Sequence, residues 1–154
     1  MSPTLSDLIL VPTRPAILDL RAILGTLTVE EVYAAHETFA QKVAEVSAGD
    51  PDVVIMELAD GLLQRETAML LAEAEIQRAG RGVVFTAENS LSALSGTERL
   101  RQLGHRVIAV SGKFTSSPLA MREYCQNDSA VPVLSSAGKG EELSARVRSF
   151  LRDE

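Results

Sequence analysis

Two acids and a glycine follow an apolar run near the middle of this chain. The run Val53–Glu57 ends on a glutamate, and Asp60 and Gly61 follow at a turn ahead of a helical segment. Ligands of α/β proteins bind outside the carboxyl ends of buried strands. Carboxylate oxygens suit Mg²⁺ beside a substrate phosphate, and glycine lets the backbone approach a ligand closely. The pattern predicts a ligand site at Glu57, Asp60 and Gly61, with Glu57 and Asp60 as Mg²⁺ ligands. A plain turn capped by Asp60 fits the same residues.

A second polar loop follows a later apolar run. Ser111 and Lys113 come directly after Val107–Val110, and hydroxyl residues precede Pro118. In a parallel sheet this loop would lie at the carboxyl ends of the strands, where ligands bind. Ser111 and Lys113 are therefore further candidates for binding an anionic ligand, and they would face the same pocket as Glu57. Ser116 or Ser117 also fits a helix N-cap ahead of a proline. No catalytic residue can be assigned.

The elements that must position these residues alternate regularly from residue 52 onward. Strands alternating with helices at this spacing predict parallel βαβ units with right-handed crossovers. We expect a three-layer α/β fold, with a mostly parallel sheet of four or five strands and helices on both faces. The predicted strands are 53–58, 83–86, 107–110 and 131–134; the predicted helices are 64–79, 97–103, 118–126 and 141–152.

The first 51 residues have a different pattern. Thr13 and Pro15 provide an N-cap and a first-turn proline for a helix that ends at Gly25. A capping box at Thr28–Glu31 predicts a second helix to about Val46. We therefore expect one domain over residues 1–154, in which a helical segment, 1–51, precedes repeated βα units over 52–154.

Composition limits the classes of partner. The net charge is −6 and 45% of residues are hydrophobic, so a phosphate-backbone binder is disfavoured and nucleic acid is not expected as a partner. Cys125 is the single cysteine, which indicates a reducing compartment. No signal peptide or membrane span is recognisable. We expect a cytoplasmic protein that has no membrane partner.

A family resemblance runs through residues 52–135. The acidic strand Val53–Glu57 with its turn, the strand Gly82–Ala87, the helix Gly96–Gly104 and the late Ala130–Leu134 segment occur in the order found in P-loop NTPases of the dethiobiotin synthetase and cobyrinic acid amidase-like class. In that class the strand glutamate binds magnesium at the nucleotide. The resemblance implies that Glu57 has this role and that Mg²⁺ and a nucleotide are cofactors.

The phosphate-binding Walker A loop of that class is missing. Gly138-Lys139-Gly140 is the only Gly-Lys pair, and it follows the last predicted strand and lacks the hydroxyl residue. Without the central strand that carries the loop, an edge of the strand 53–58 needs cover. The segment Leu8–Val11, the N-terminal helices or another chain could provide this cover. Among partners, we expect a homo-oligomer or a separate partner chain that carries the phosphate loop.

Three functional interpretations stay open. The first is a noncatalytic binding or assembly module, or one half of a split nucleotide-dependent enzyme. The second is a Mg²⁺-dependent enzyme that acts on a phosphate or carboxylate ligand through Glu57 and Asp60. The third is a degenerate response-regulator receiver domain, because Glu57, Thr86 and Lys113 resemble its acid, threonine and lysine.

Overall fold

The computed structural model describes residues 15–19, 44–45, 48–49, 53–58, 61–128, 130–135 and 141–152. The chain divides into two compact units, one of them Val11–Ile76 and the other containing Gln77–Glu154. In each unit the described strands pair in parallel, so the fold is mixed α/β, as predicted.

The first unit contains a two-stranded parallel sheet. Strand β1, Pro15–Asp19, pairs with β2, Val53–Glu57, in a register that runs from Pro15 opposite Val53 to Asp19 opposite Glu57. The predicted strand at 53–58 is therefore confirmed. The first predicted N-terminal helix is wrong over Pro15–Asp19, since a proline followed by apolar residues suits the start of a strand as well as the first turn of a helix.

The second predicted N-terminal helix lies mostly outside the described residues. Residues 44 and 45 are helical, and the backbone N–H of Ala48 donates to the carbonyl of Ala44 over 2.9 Å.

The single helix predicted over 64–79 is two helices, α1 (Arg65–Ala72) and α2 (Ala74–Ala79). Glu73 separates them with an extended backbone, and nothing in the structure explains why the break falls there.

The second unit contains a parallel sheet covered by three helices. Strand β3, Val83–Thr86, pairs with β4, Val107–Ser111, which confirms both predicted strands. The fourth predicted strand is reduced to a parallel bridge between Val133 and Val110. Three α-helices lie entirely within this unit, namely α3 (Ser90–Gln102), α4 (Pro118–Asn127) and α5 (Glu141–Arg152), and a 3₁₀ helix covers Lys113–Ser116.

Helix α3 begins seven residues before the predicted helix at 97. Asn89 is its N-cap, because the Asn89 side chain accepts a hydrogen bond from the backbone of Ser92 and the Ser92 hydroxyl reaches back to Asn89. This reciprocal capping box satisfies the first backbone N–H groups of the helix. The sequence carries the signal in Asn89 and Ser92, which is a less common pair than Ser or Thr with Glu.

The β3–β4 pairing contains one irregularity. Val83 lies opposite Val107, but Val84 lies opposite Ala109, so the register shifts by one residue at Ile108. Arg146 of α5 donates from Nε to the carbonyl of Ile108 over 3.0 Å. The hydrogen bond connects α5 to the irregular point of the sheet.

The core of the second unit lies between the sheet and helices α3 and α4. Tyr124 is fully buried, and its ring centroid lies 5.7 Å from that of Phe114 in a tilted arrangement. The aliphatic side chains around this pair are Ala87, Ala93, Val110 and Val131. This packing fixes the carboxyl ends of β3 and β4, where the candidate site residues follow.

Candidate functional site

Glu57 is the last residue of β2 and is half-buried. The strand register places the backbone of Asp19, the last residue of β1, opposite it. Asp60 lies outside the described residues. Two acids therefore end adjacent parallel strands, which is an arrangement that the sequence did not predict because β1 was expected to be a helix.

Gly61 has a backbone reason for being glycine. Its φ is 93°, which L-residues with a side chain rarely adopt. It is exposed, and a Cβ built at this position would meet no atom within 4 Å. Turn geometry therefore accounts for the glycine. The space around it is open, which does not test whether a ligand approaches this backbone, so that approach stays a prediction.

The predicted metal site stays a prediction. Among the residues that the structure describes, no group of three or more His, Cys, Asp or Glu side chains could hold a metal ion. Asp60 belongs to the predicted pair and lies outside that part of the chain, so the pair Glu57 and Asp60 is not tested by this finding.

Ser111, the last residue of β4, uses its hydroxyl within the fold. The hydroxyl donates to the backbone carbonyl of Leu134 over 2.8 Å, and the side chain is half-buried. The hydrogen bond continues the pairing between β4 and the Val133 segment, where the Leu134 N–H donates to the carbonyl of Val110. Ser111 thus connects two segments at the carboxyl edge of the sheet.

Lys113 forms an ion pair with an acid on the neighbouring loop. Its Nζ lies 2.9 Å from Oε1 of Glu88, and both side chains are largely exposed. The hydrogen bond from Lys113, and then its positive charge, hold the pKa of Glu88 below its ordinary value. An exposed pair of this kind stabilises a fold little, but it brings the loops that follow β3 and β4 together.

Gly112 allows these two loops to approach each other closely. Its φ is 111°, and a Cβ at this position would lie 2.6 Å from the backbone N of Ala87 and closer still to the Ala87 carbonyl oxygen. No side chain fits there, since atoms of this kind do not approach within 3.0 Å. A glycine at this point brings Lys113 beside Glu88.

The helix starts at the same edge are satisfied by side chains of the chain itself. Asn89 caps α3, and the hydroxyl of Ser117 accepts a hydrogen bond from the backbone of Ala120 at the start of α4. The helix-capping interpretation of Ser117 is therefore confirmed. Each of these caps uses one of the backbone N–H groups that could otherwise bind an anion.

The structure brings Ser111 and Lys113 together with Ala87, Glu88 and Leu134. Glu57 and Gly61 belong to the other unit, and the predicted common pocket stays a prediction. Sequence reasoning missed Glu88, Asn89 and Gly112 as residues that shape this edge. The position of Gly112 between Ser111 and Lys113 could have predicted its role, because a glycine directly after a strand often marks a close approach of two backbone segments.

No protein-family model, curated protein or solved structure matches this chain. The fold and the site geometry therefore carry the functional argument. No helix in the described part of the chain combines the length and apolar character needed to cross a membrane.

Proposed function

We propose that this protein is a noncatalytic binding or assembly module with the architecture of a P-loop NTPase that lacks the phosphate loop. The observation that carries the proposal is that the polar groups at the carboxyl edge of β3 and β4 are used by the fold. Ser111 bonds Leu134, Lys113 pairs with Glu88, and the helix starts carry their own caps. A catalytic site at this edge would instead need polar groups that are positioned to contact a substrate.

The assembly half of the proposal rests on the strands. Among the described residues, β2 pairs only with β1, and β3 pairs only with β4. Strand β1 covers one edge of β2 from within the chain, so no partner is required at that edge. Assembly would instead use the opposite edge of β2 or the outer edge of β3, neither of which has a partner strand among the described residues. The three-layer arrangement with one mostly parallel sheet of four or five strands belongs to this proposal, as does a cytoplasmic location.

The first experiment measures nucleotide binding and turnover. We expect no release of phosphate from ATP or GTP with Mg²⁺, and no shift of the unfolding temperature with either nucleotide. Bound nucleotide without turnover would favour one half of a split enzyme and a separate partner that carries the phosphate loop. Turnover by the chain alone would overturn the proposal.

A second candidate is a Mg²⁺-dependent enzyme that acts on a phosphate or carboxylate ligand through Glu57 and Asp60. The backbone register of Asp19 opposite Glu57 favours it, since it brings two acidic residue types to neighbouring strand ends and Mg²⁺ prefers carboxylate oxygen. This candidate predicts a thermal shift with Mg²⁺ and nucleotide that is lost in Glu57→Ala and retained in Glu88→Ala. The absence of a shift in the unmodified chain would rule out this enzyme candidate.

The receiver-like interpretation of Glu57, Thr86 and Lys113 stays a prediction.

A further inference from the structure

Helix α4 buries much less of its surface than the neighbouring helix α3. All ten residues of α4 are described, and Tyr124 is the one among them that is buried, whereas five residues of α3 are buried. Leu119, in the first turn of α4, is 70% exposed. A helix in a protein owes most of its stability to the packing of an apolar face, so α4 depends on few contacts.

Tyr124 connects the middle of α4 to the core of the second unit. Its ring packs against Phe114 of the 3₁₀ helix, and its hydroxyl donates to Oδ2 of Asp128, the C-cap residue of α4, over 3.5 Å. The other buried side chains of this cluster come from β4, from α3 and from the segments that follow β3 and α4. Movement of α4 away from the core would therefore uncover Phe114 and this apolar cluster.

Two carboxylates connect α4 to the two ends of α3. The Ser90 hydroxyl, in the first turn of α3, donates a hydrogen bond to Oε2 of Glu123. Arg101, in the last turn of α3, places Nη1 2.9 Å from Oδ2 of Asp128. Both contacts form only while α4 lies against α3, so each favours the closed position by a modest amount.

We propose that α4 is a latch, which opens as a unit from α3 and the β3–β4 sheet while these stay folded. Tyr124, Glu123 and Asp128 hold the latch closed. Elements with few buried apolar contacts open at a lower free energy than the core of the same protein. A detached helix of this length is marginal in water, so its backbone N–H groups become exposed on opening. The inference concerns a motion of the fold and does not rest on the proposed function.

Native-state hydrogen exchange of the full chain tests the latch, with exchange in α3 and α4 read separately by mass spectrometry. We expect the interior amides of α4 to exchange about tenfold or more faster than those of α3, which wait for global unfolding. The exchange of α4 should also depend less on added urea, because a local opening exposes less surface than global unfolding.

Ser90→Ala tests the contact with Glu123 without changing the sequence of α4. The N-cap of α3 is Asn89, so the helix start keeps its cap in this variant. We expect the amides of α4 to exchange about fivefold faster, since the lost hydrogen bond exists only in the closed state. Ser95→Ala is the matched control, because the Ser95 hydroxyl donates to Leu91 within α3 itself, and it should leave the exchange of α4 unchanged.

Ile108→Val separates opening of the latch from global unfolding. Ile108 is buried in β4 and lies beside Gly82, outside the cluster around Tyr124. Its packing persists when the latch opens but is lost on global unfolding. The variant should therefore speed exchange of the interior amides of α3 about twofold to tenfold and leave that of α4 unchanged.

Three results would overturn the inference. Interior amides of α3 and α4 that exchange at one rate, with one dependence on urea, would show that α4 opens only with the whole unit. Equal acceleration of both helices in Ile108→Val would show the same. Unchanged exchange of α4 in Ser90→Ala protein, with the far-ultraviolet circular dichroism of the unmodified chain, would remove Glu123 from the residues that hold the latch closed.

Discussion

Gly112 carries a backbone φ of 111° at the point where the chain leaves β4. The residues on either side of it were predicted to bind a ligand from their polar character and their place after a strand. Their partners in the fold, Leu134 and Glu88, lie 23 and 25 positions away in the chain. Local sequence identified the correct edge of the sheet, but tertiary partners at that separation have no local signature.

Replacing Gly112 by alanine should destabilise the protein strongly. A backbone with φ 111° and ψ −167° is essentially restricted to glycine and alone costs about 1–3 kcal/mol with a side chain, and the overlap with the Ala87 backbone adds about 1–3 kcal/mol. Gly104→Ala is the matched control, since Gly104 has a φ of 86° but only the Gln77 side chain nearby, at 3.8 Å. Urea unfolding followed by circular dichroism should show the larger loss in Gly112→Ala, and equal losses would contradict the close approach.

At the scale of elements, two predictions failed because the local start signal was ambiguous in one case and uncommon in the other. Pro15 satisfies the rules for a helix start and for a strand start, and only the pairing with Val53–Glu57 decides between them. The start of α3 was missed because Asn89 and Ser92 form a reciprocal cap from less common residue types. The strands at 83–86 and 107–110 were found because short, continuous apolar runs are typical of parallel sheets.

The ion pair between Arg101 and Asp128 connects the end of α3 to the end of α4 and makes stability depend on pH. Burial alone would raise the pKa of Asp128, but hydrogen bonds from Arg101 and from the backbone of Ala130 hold it below its ordinary value of 3.8. Since the folded pKa is the lower one, this stabilisation is present above about pH 4 and is lost as pH falls through the folded value.

Asp128→Asn should therefore lower the free energy of unfolding at pH 7 by about 1 kcal/mol, a modest figure because Arg101 is partly exposed. The difference from the unmodified chain should shrink as pH falls below about 4. Urea unfolding at a series of pH values measures it, with Glu98→Gln on the same helix as the control. If the difference in the free energy of unfolding stays constant across this pH range, the carboxylate charge of Asp128 does not contribute to stability.

The whole molecule offers a natural optical probe. It contains no tryptophan and two tyrosines, Tyr33 in Val11–Ile76 and Tyr124 in the second unit. Burial raises the pKa of Tyr124 above its ordinary value of 10.0. Since the folded pKa is the higher one, the neutral phenol stabilises the fold below about pH 10, and this contribution is lost as pH rises through the folded value.

Tyr33→Phe leaves Tyr124 as the only tyrosine, and its ionisation can be followed by absorbance near the phenolate band. We expect an ionisation midpoint above pH 10, with near-ultraviolet circular dichroism lost over the same pH range. Tyr124→Phe is the companion variant, which reports Tyr33 alone. A midpoint at the value of free tyrosine in folded Tyr33→Phe protein would contradict the burial of Tyr124.

The close approach of Gly112 to Ala87 also constrains how this chain can diverge during evolution. Ser111, Lys113 and Glu88 stand at positions where other residue types would fit, because their contacts are single hydrogen bonds or an exposed ion pair. Position 112 accepts only glycine while the two loops keep their spacing. In a homologue that has kept this fold, we expect the glycine after the strand to be retained even where the charged residue beside it has been exchanged.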